Sequence, residues 1–168
     1  MCKGGSLVKI TVLAVGNLIR SDEGAGIHAL RLLAARRLPP GVELVEGGTD
    51  GLSLLPVFRE SDVVIVVDAV LAGDEPGSLY RFSPEAVRAG RLPDRLSPHQ
   101  IGIFDVLSTA RLLGSLPETV IIGVQPGSLD WGTELSPAVA GALPGLADLV
   151  MAEIKTFAGT GGQEESRR

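Results

Sequence analysis

The stretch LVKITVLAVGNLIRSDEGAGIHAL, residues 7–30, decides the fold. Residues 7–15 form a β-branched apolar run that stops at Gly16-Asn17. That is the pattern of a strand buried on both faces. Residues 23–37 then carry Ile27, Leu30, Leu33 and Ala34 at helical spacing, with Arg36 and Arg37 near the end. Leu38-Pro39-Pro40-Gly41 closes this helix, because proline cannot continue it. Between strand and helix stand two adjacent acids, Asp22 and Glu23, among Gly16, Gly24 and Gly26. They raise three options: a phosphate cradle, a helix cap, or carboxylates held out for chemistry.

The same alternation continues downstream. VELVE at 42–46 predicts a second strand, GGTDG at 47–51 a turn, and Leu52–Phe58 a short helix. DVVIVVDAV at 62–70 is the most strand-like run in the chain and ends in an acid, Asp68. SLYRF at 78–82 alternates like a short edge strand, and SPEAVRAG opens a short helix. Residues 91–101 read as irregular, 102–114 as a helix, TVIIGV at 119–124 as another buried strand, and QPGSLDWGTELSP, from residue 125, as a long loop. Ser136-Pro137 supplies a cap and first turn for a final helix to residue 157. Pro144 is expected to kink or interrupt it. The polar, Gly-rich residues 158–168 are expected to be disordered. These elements predict one domain over residues 1–168, with its core at about 8–157. The expected fold is an α/β three-layer sandwich. Its sheet of about five strands is twisted and mostly parallel, with one short edge strand and helices on both faces.

Composition narrows the function classes. Hydrophobic residues make up 45% of the 168-residue chain and aromatic residues 4%, so the core must come from Leu, Val, Ile and Ala. The balance of 15 Lys+Arg against 20 Asp+Glu gives a net charge of −5, without the basic footprint of a nucleic-acid-binding domain. No run reaches ~18 consecutive apolar residues, and the first residues lack the pattern of a signal peptide. A single cysteine, Cys2, forms no internal disulfide and no Cys-rich zinc site. The expectation is a cytoplasmic protein without membrane or nucleic-acid partners.

In a mostly parallel sheet, ligands bind beyond the carboxyl ends of the strands, where strand order reverses. The loops after residues 15, 46, 68 and 124 should therefore share one edge. They carry Asp22 and Glu23, Thr49 and Asp50, and Asp68, while His99 lies in the irregular stretch before residue 102. Two carboxylates and an imidazole can bind a divalent transition metal with positions left open. Each residue also has a structural reading. Asp22 suits a helix N-cap, and Glu23 suits a first turn, where the helix dipole favours an acid. Asp68 can cap a turn, and a loop histidine such as His99 can simply face solvent. His28 lies about 140° around the helix from Glu23 and reads as structural. Phosphate binding is disfavoured, because acids follow Gly16 where a dinucleotide loop needs glycines. A serine nucleophile lacks its G-x-S-x-G elbow.

VGNLIRSDEGAGIHAL, EGGTDGLSLL, VVDAV and SPHQIGIFDVL, in this order and spacing, resemble the hydrogenase maturation endopeptidases. These proteases trim the C-terminal tail of the [NiFe] hydrogenase large subunit. The resemblance covers residues 8–155. It implies that Glu23, Asp68 and His99 are the metal-contacting and catalytic set, and that the turn at 47–51 lines the same cleft. Glu46 stands where the family often has Asp and is given no catalytic role. The implied metal is nickel. It is carried in by the large-subunit precursor on that protein's own cysteines rather than held tightly by the free enzyme. The implied partner is that precursor, and the implied state is a monomer. The family has been classed as aspartic-type. Two rival readings use the same ligands: a nickel-binding maturation chaperone or checkpoint module without hydrolysis, and a hydrolase carrying its own divalent metal.

Overall fold

The computed structural model describes residues 7–88 and 98–160. Five strands, β1 (Ile10–Val15), β2 (Val42–Gly48), β3 (Val63–Ala69), β4 (Leu79–Phe82) and β5 (Glu118–Val124), form one sheet in the order β2-β1-β3-β5-β4. The β1–β2, β1–β3 and β3–β5 pairs are parallel, and the short β4 is antiparallel to β5. The expected fold class is the one observed, including the edge strand.

Among the described residues, five α-helices flank the sheet: α1 (Ala25–Ala34), α2 (Leu55–Glu60), α3 (Pro84–Arg88), α4 (Pro98–Leu112) and α5 (Pro137–Thr160). Side chains alternate across each strand, so the strands feed two separate cores. Val12, Ala14, Ile65, Val67 and Ile122 pack with α1 and α5 on one face. Leu13, Val15, Val64, Val66 and Ile121 pack with α2 and α4 on the other. Burial on both faces explains why β1 and β3 read as unbroken apolar runs. The aromatic-poor core is aliphatic as expected, apart from Phe58, which is almost fully buried. Thr11, in the middle of β1, satisfies its buried hydroxyl at 2.7 Å from that of Ser61.

Several boundaries differ from expectation. The helix after β1 begins at Ala25, preceded by a separate 3-10 turn at Ser21–Gly24. The fourth helix starts at Pro98. His99 therefore lies in a first helical turn, where Pro98 with its fixed φ is at home, and not in an irregular stretch. Pro144 does not interrupt α5. Its missing N–H frees the carbonyl of Ala140, and both residues are exposed, so water can satisfy that carbonyl. The helix runs to Thr160, so residues 158–160 are ordered. The rest of the expected disordered tail, 161–168, lies outside the described residues. By length and mean hydropathy (1.3), Pro137–Gly159 could cross a bilayer. Here Leu146, Ala147, Val150 and Ile154 are buried in the α1-side core.

Candidate active site

The sheet order puts a topological switch between β1 and β3. The chain leaves β1 for β2 on one side, and β3 lies on the other. The carboxyl ends of β1, β2, β3 and β5 lie on one edge because these strands are parallel. Glu23 follows β1 and Asp68 is the penultimate residue of β3, so the two acids flank the switch point.

Close backbone packing holds Glu23 there. Gly16 has φ +137°, and a Cβ on it would lie 1.9 Å from the Glu23 carbonyl oxygen. That carbonyl accepts from the Asn17 N–H at 3.2 Å. A Cβ on Gly26 would lie 2.5 Å from the Val67 carbonyl oxygen. The start of α1 is thus pressed onto the end of β3, and only glycine permits the approach. Glu23 is 4% exposed, and the Arg20 guanidinium lies 3.7 Å from its Oε1. Arg20 in turn sits over the Trp131 ring, 5.0 Å from the ring centroid.

Asp68 is also 4% exposed. By alternation from Val64 and Val66 it belongs to the α2/α4 face of the sheet. Its Oδ1 accepts from the Ala69 N–H at 2.7 Å. Burial pushes its carboxyl up to about 8, against the lowering effect of the Ala69 N–H, and the nearby charge of Glu23 adds to the rise. Two carboxyl groups close together out of water favour taking up a proton or a cation. Their oxygen atoms are hard donors, the type that suits a divalent metal. The His99 side chain lies outside the described residues. Among the described residues no group of three or more His, Cys, Asp and Glu side chains gathers.

Asp22 has a different role from the cap expected of it. It is fully buried and makes no side-chain cap to the turn that contains it. Its Oδ2 accepts from the N–H groups of Gly127 and Ser128, both at 2.8 Å, and from the Ser136 hydroxyl at 2.7 Å. Its Oδ1 accepts from the Ser136 N–H at 2.7 Å. Asp22 therefore fastens the 125–136 loop and the start of α5 to the 16–24 loop. Ser136 does stand at the N-cap position, since its carbonyl accepts from the Ala140 N–H, but its hydroxyl serves Asp22. Ser21 is strained by φ 45°. It completes the fastening by donating its N–H to the Gly132 carbonyl at 2.8 Å and its hydroxyl to the Asp130 carbonyl at 3.0 Å.

Beside this corner lies an open cavity of about 340 Å³. Gly16, Asn17 and Leu18 line one side, and Glu46 to Asp50 line the other. The turn at 47–51 thus borders a cleft next to the Glu23 loop. Glu46, on the wall of this cleft, pairs with Arg31 at 3.2 Å. His28 is half-buried, and its imidazole is held below its ordinary pKa by burial and Arg31, with Glu46 opposing. Two residues at the site went unnoticed in the sequence, Arg20 and Trp131. The Arg20–Glu23 spacing of a helical turn was one available signal. The chain's single tryptophan, placed in a polar loop, was another.

A doubly wound sheet carrying paired acids at its switch point defines the class, and comparison with known proteins defines the family. The family model for hydrogenase maturation proteases matches residues 27–153. This chain belongs to that family. It is 41% identical over 138 residues to the hydrogenase expression/formation protein HupD of Rhodobacter capsulatus, a match that spans 80% of this chain and 66% of that protein's length. It is 34% identical to the hydrogenase 2 maturation protease of Escherichia coli, over 88% of this chain and 92% of that one. The solved structure of the E. coli hydrogenase maturating endopeptidase HybD superposes with a TM-score of 0.81 at 32% identity, covering 89% of this chain and 94% of the other.

Proposed function

We propose that this peptidase removes the C-terminal extension of an [NiFe] hydrogenase large-subunit precursor, and that it acts only on precursor already loaded with nickel. Family membership supports the peptidase over a non-hydrolysing checkpoint module. The observation that carries the nickel requirement is the buried acid pair. Burial pushes Asp68 up to about 8, and the charge of Glu23 adds to the rise, so at neutral pH the pair holds a proton in the place that a cation would take. A loaded precursor supplies that cation. An empty one leaves the carboxyl groups to repel each other or to hold a proton, and docks poorly. Glu23, Asp68 and His99 are the groups that would meet the incoming metal. The precursor's own ligands hold it, and the free protease needs no tight site.

Hydrolysis then needs a base for water. With the scissile peptide lying along this edge, and once the positive charge of the docked precursor has driven off its proton, Asp68 accepts a proton from the attacking water as its oxygen bonds to the carbonyl carbon. It returns the proton to the departing amine as the C–N bond breaks. This is the aspartic-type assignment.

The test is a processing assay on purified precursor, with and without nickel, read by the mass lost with the tail. Loaded precursor is cut by the natural protein, while Asp68→Asn and His99→Ala slow the cut by ~10³-fold or more. Equal cutting of nickel-free precursor would remove the metal requirement. Normal cutting by either variant would remove that residue from the machinery.

A further inference from the structure

Arg20 is positioned by two contacts that together suggest a task. Its Nη2 lies 3.7 Å from Glu23 Oε1. Its Cζ lies over the Trp131 ring, 5.0 Å from the centroid. Trp131 is 73% exposed, yet its loop is not free to wander. The Gly132 N–H donates to the Ile19 carbonyl at 3.0 Å, the Ser21 N–H donates back to the Gly132 carbonyl, and Asp22 binds the same loop at Gly127 and Ser128. The backbone that carries the indole is therefore held beside the Glu23 loop, and a guanidinium stacks on an indole face more favourably than an ammonium does. A buried carboxylate is costly unless it is paired or hydrogen-bonded, and among the described residues the Arg20 guanidinium lies at ion-pairing distance from Glu23.

We propose that Arg20 is a resident counter-ion. Held on Trp131, it occupies the cation's place beside Glu23 in the substrate-free protein, and it must be displaced before that carboxylate can meet a metal. Arg20 is thus a positioning residue, acting through Glu23. Its effect is on discrimination. Free divalent ions must compete with a built-in positive charge, whereas a metal presented by a docked precursor arrives with the binding energy of the whole interface. The displaced guanidinium stays tethered at the rim, where it can pair with a backbone carbonyl or carboxylate of the precursor.

This inference rests on the proposed role of Glu23 and Asp68, and the experiment separates the two. Nickel binding to the precursor-free protease is measured by equilibrium dialysis for the natural chain, Arg20→Met and Arg20→Lys. Arg20→Met, which keeps the bulk and loses the charge, should bind Ni²⁺ about tenfold more tightly, because a competing charge at contact distance is gone. Arg20→Lys should stay within about twofold of the natural protein, rescued by its charge. Zn²⁺, which is not paramagnetic, provides a spectroscopic readout through the chain's single tryptophan. It should change Trp131 emission in the natural protein by moving Arg20 off the ring, and should leave the emission of Arg20→Met unchanged. Nickel affinity of Arg20→Met no greater than that of the natural chain would overturn the counter-ion role, and so would a zinc response that persists without Arg20. If Asp68→Asn added to Arg20→Met fails to weaken nickel binding, the acid pair is not the metal-contacting site and both readings fall.

Discussion

Asp22 and Glu23 are adjacent in the chain, both acidic, both buried, and the fold uses them in opposite ways. Asp22 sits among donors: two backbone N–H groups of one loop, plus the N–H and hydroxyl of Ser136. Its charge is fully compensated by protein. Glu23 sits beside another acid, Asp68, whose carboxyl its charge helps to push up, and its Oε1 lies 3.7 Å from the Arg20 guanidinium. A carboxylate surrounded by donors stiffens a structure. A carboxylate placed near another stores a demand for positive charge. The contrast separates the clasp that builds the site from the pair that works in it.

The strongest way to break this contrast is to empty the clasp. Asp22→Ala leaves four part-buried donors without their acceptor, and should destabilise the protein by about 4 kcal/mol. Thermal unfolding should show a fall of ~10 °C or more. A loss within ~1 kcal/mol would mean that the loop holds itself in place. Glu23→Gln should do the reverse, slowing tail removal by ~10²-fold or more while changing stability by less than ~1 kcal/mol. Equal losses in both properties would erase the distinction between the two acids.

Asp68→Asn sharpens the comparison through pH. A carboxyl raised to about 8 in the folded protein favours folding while it is protonated. That stability is fully present below the unfolded value of ~4 and is lost progressively as pH rises through ~8. The substitution removes the penalty, so the variant should gain on the natural protein as pH increases from 5 to 9. The gain should reach on the order of 3 kcal/mol in chemical denaturation. A difference that stays flat across this range would show that Asp68 is ionised throughout. The smallest effect belongs to His28→Ala. The imidazole is half-buried and away from the acid pair, so stability should change by under ~1 kcal/mol and tail removal by less than twofold. A loss near that of Glu23→Gln would place His28 in the site.

Much of the architecture was legible because it is written in local periodicity. The apolar runs at β1, β3 and β5 and the helical spacing after Gly26 are each set by neighbours along the chain. Parallel pairing of such strands then forces their carboxyl ends, with Glu23 and Asp68, onto one edge. The turn chemistry was less legible. Pro98 begins a helix that the sequence reading starts at residue 102, because its fixed φ suits a first turn and it needs no N–H there. Pro144 stays within α5 because the carbonyl it frees is exposed to water.

The sequence alone determined the strand–helix order, the aliphatic double core and the edge on which the acids meet, since each follows from spacing that a few residues can carry. It could not decide which of two neighbouring acids is the clasp. The donors that settle Asp22 lie 105 to 114 residues away, and the platform under Arg20 is a tryptophan in that same distant loop. Charge compensation in a buried site is a property of what the fold brings within hydrogen-bonding or ion-pairing distance, and only the tertiary structure supplied it.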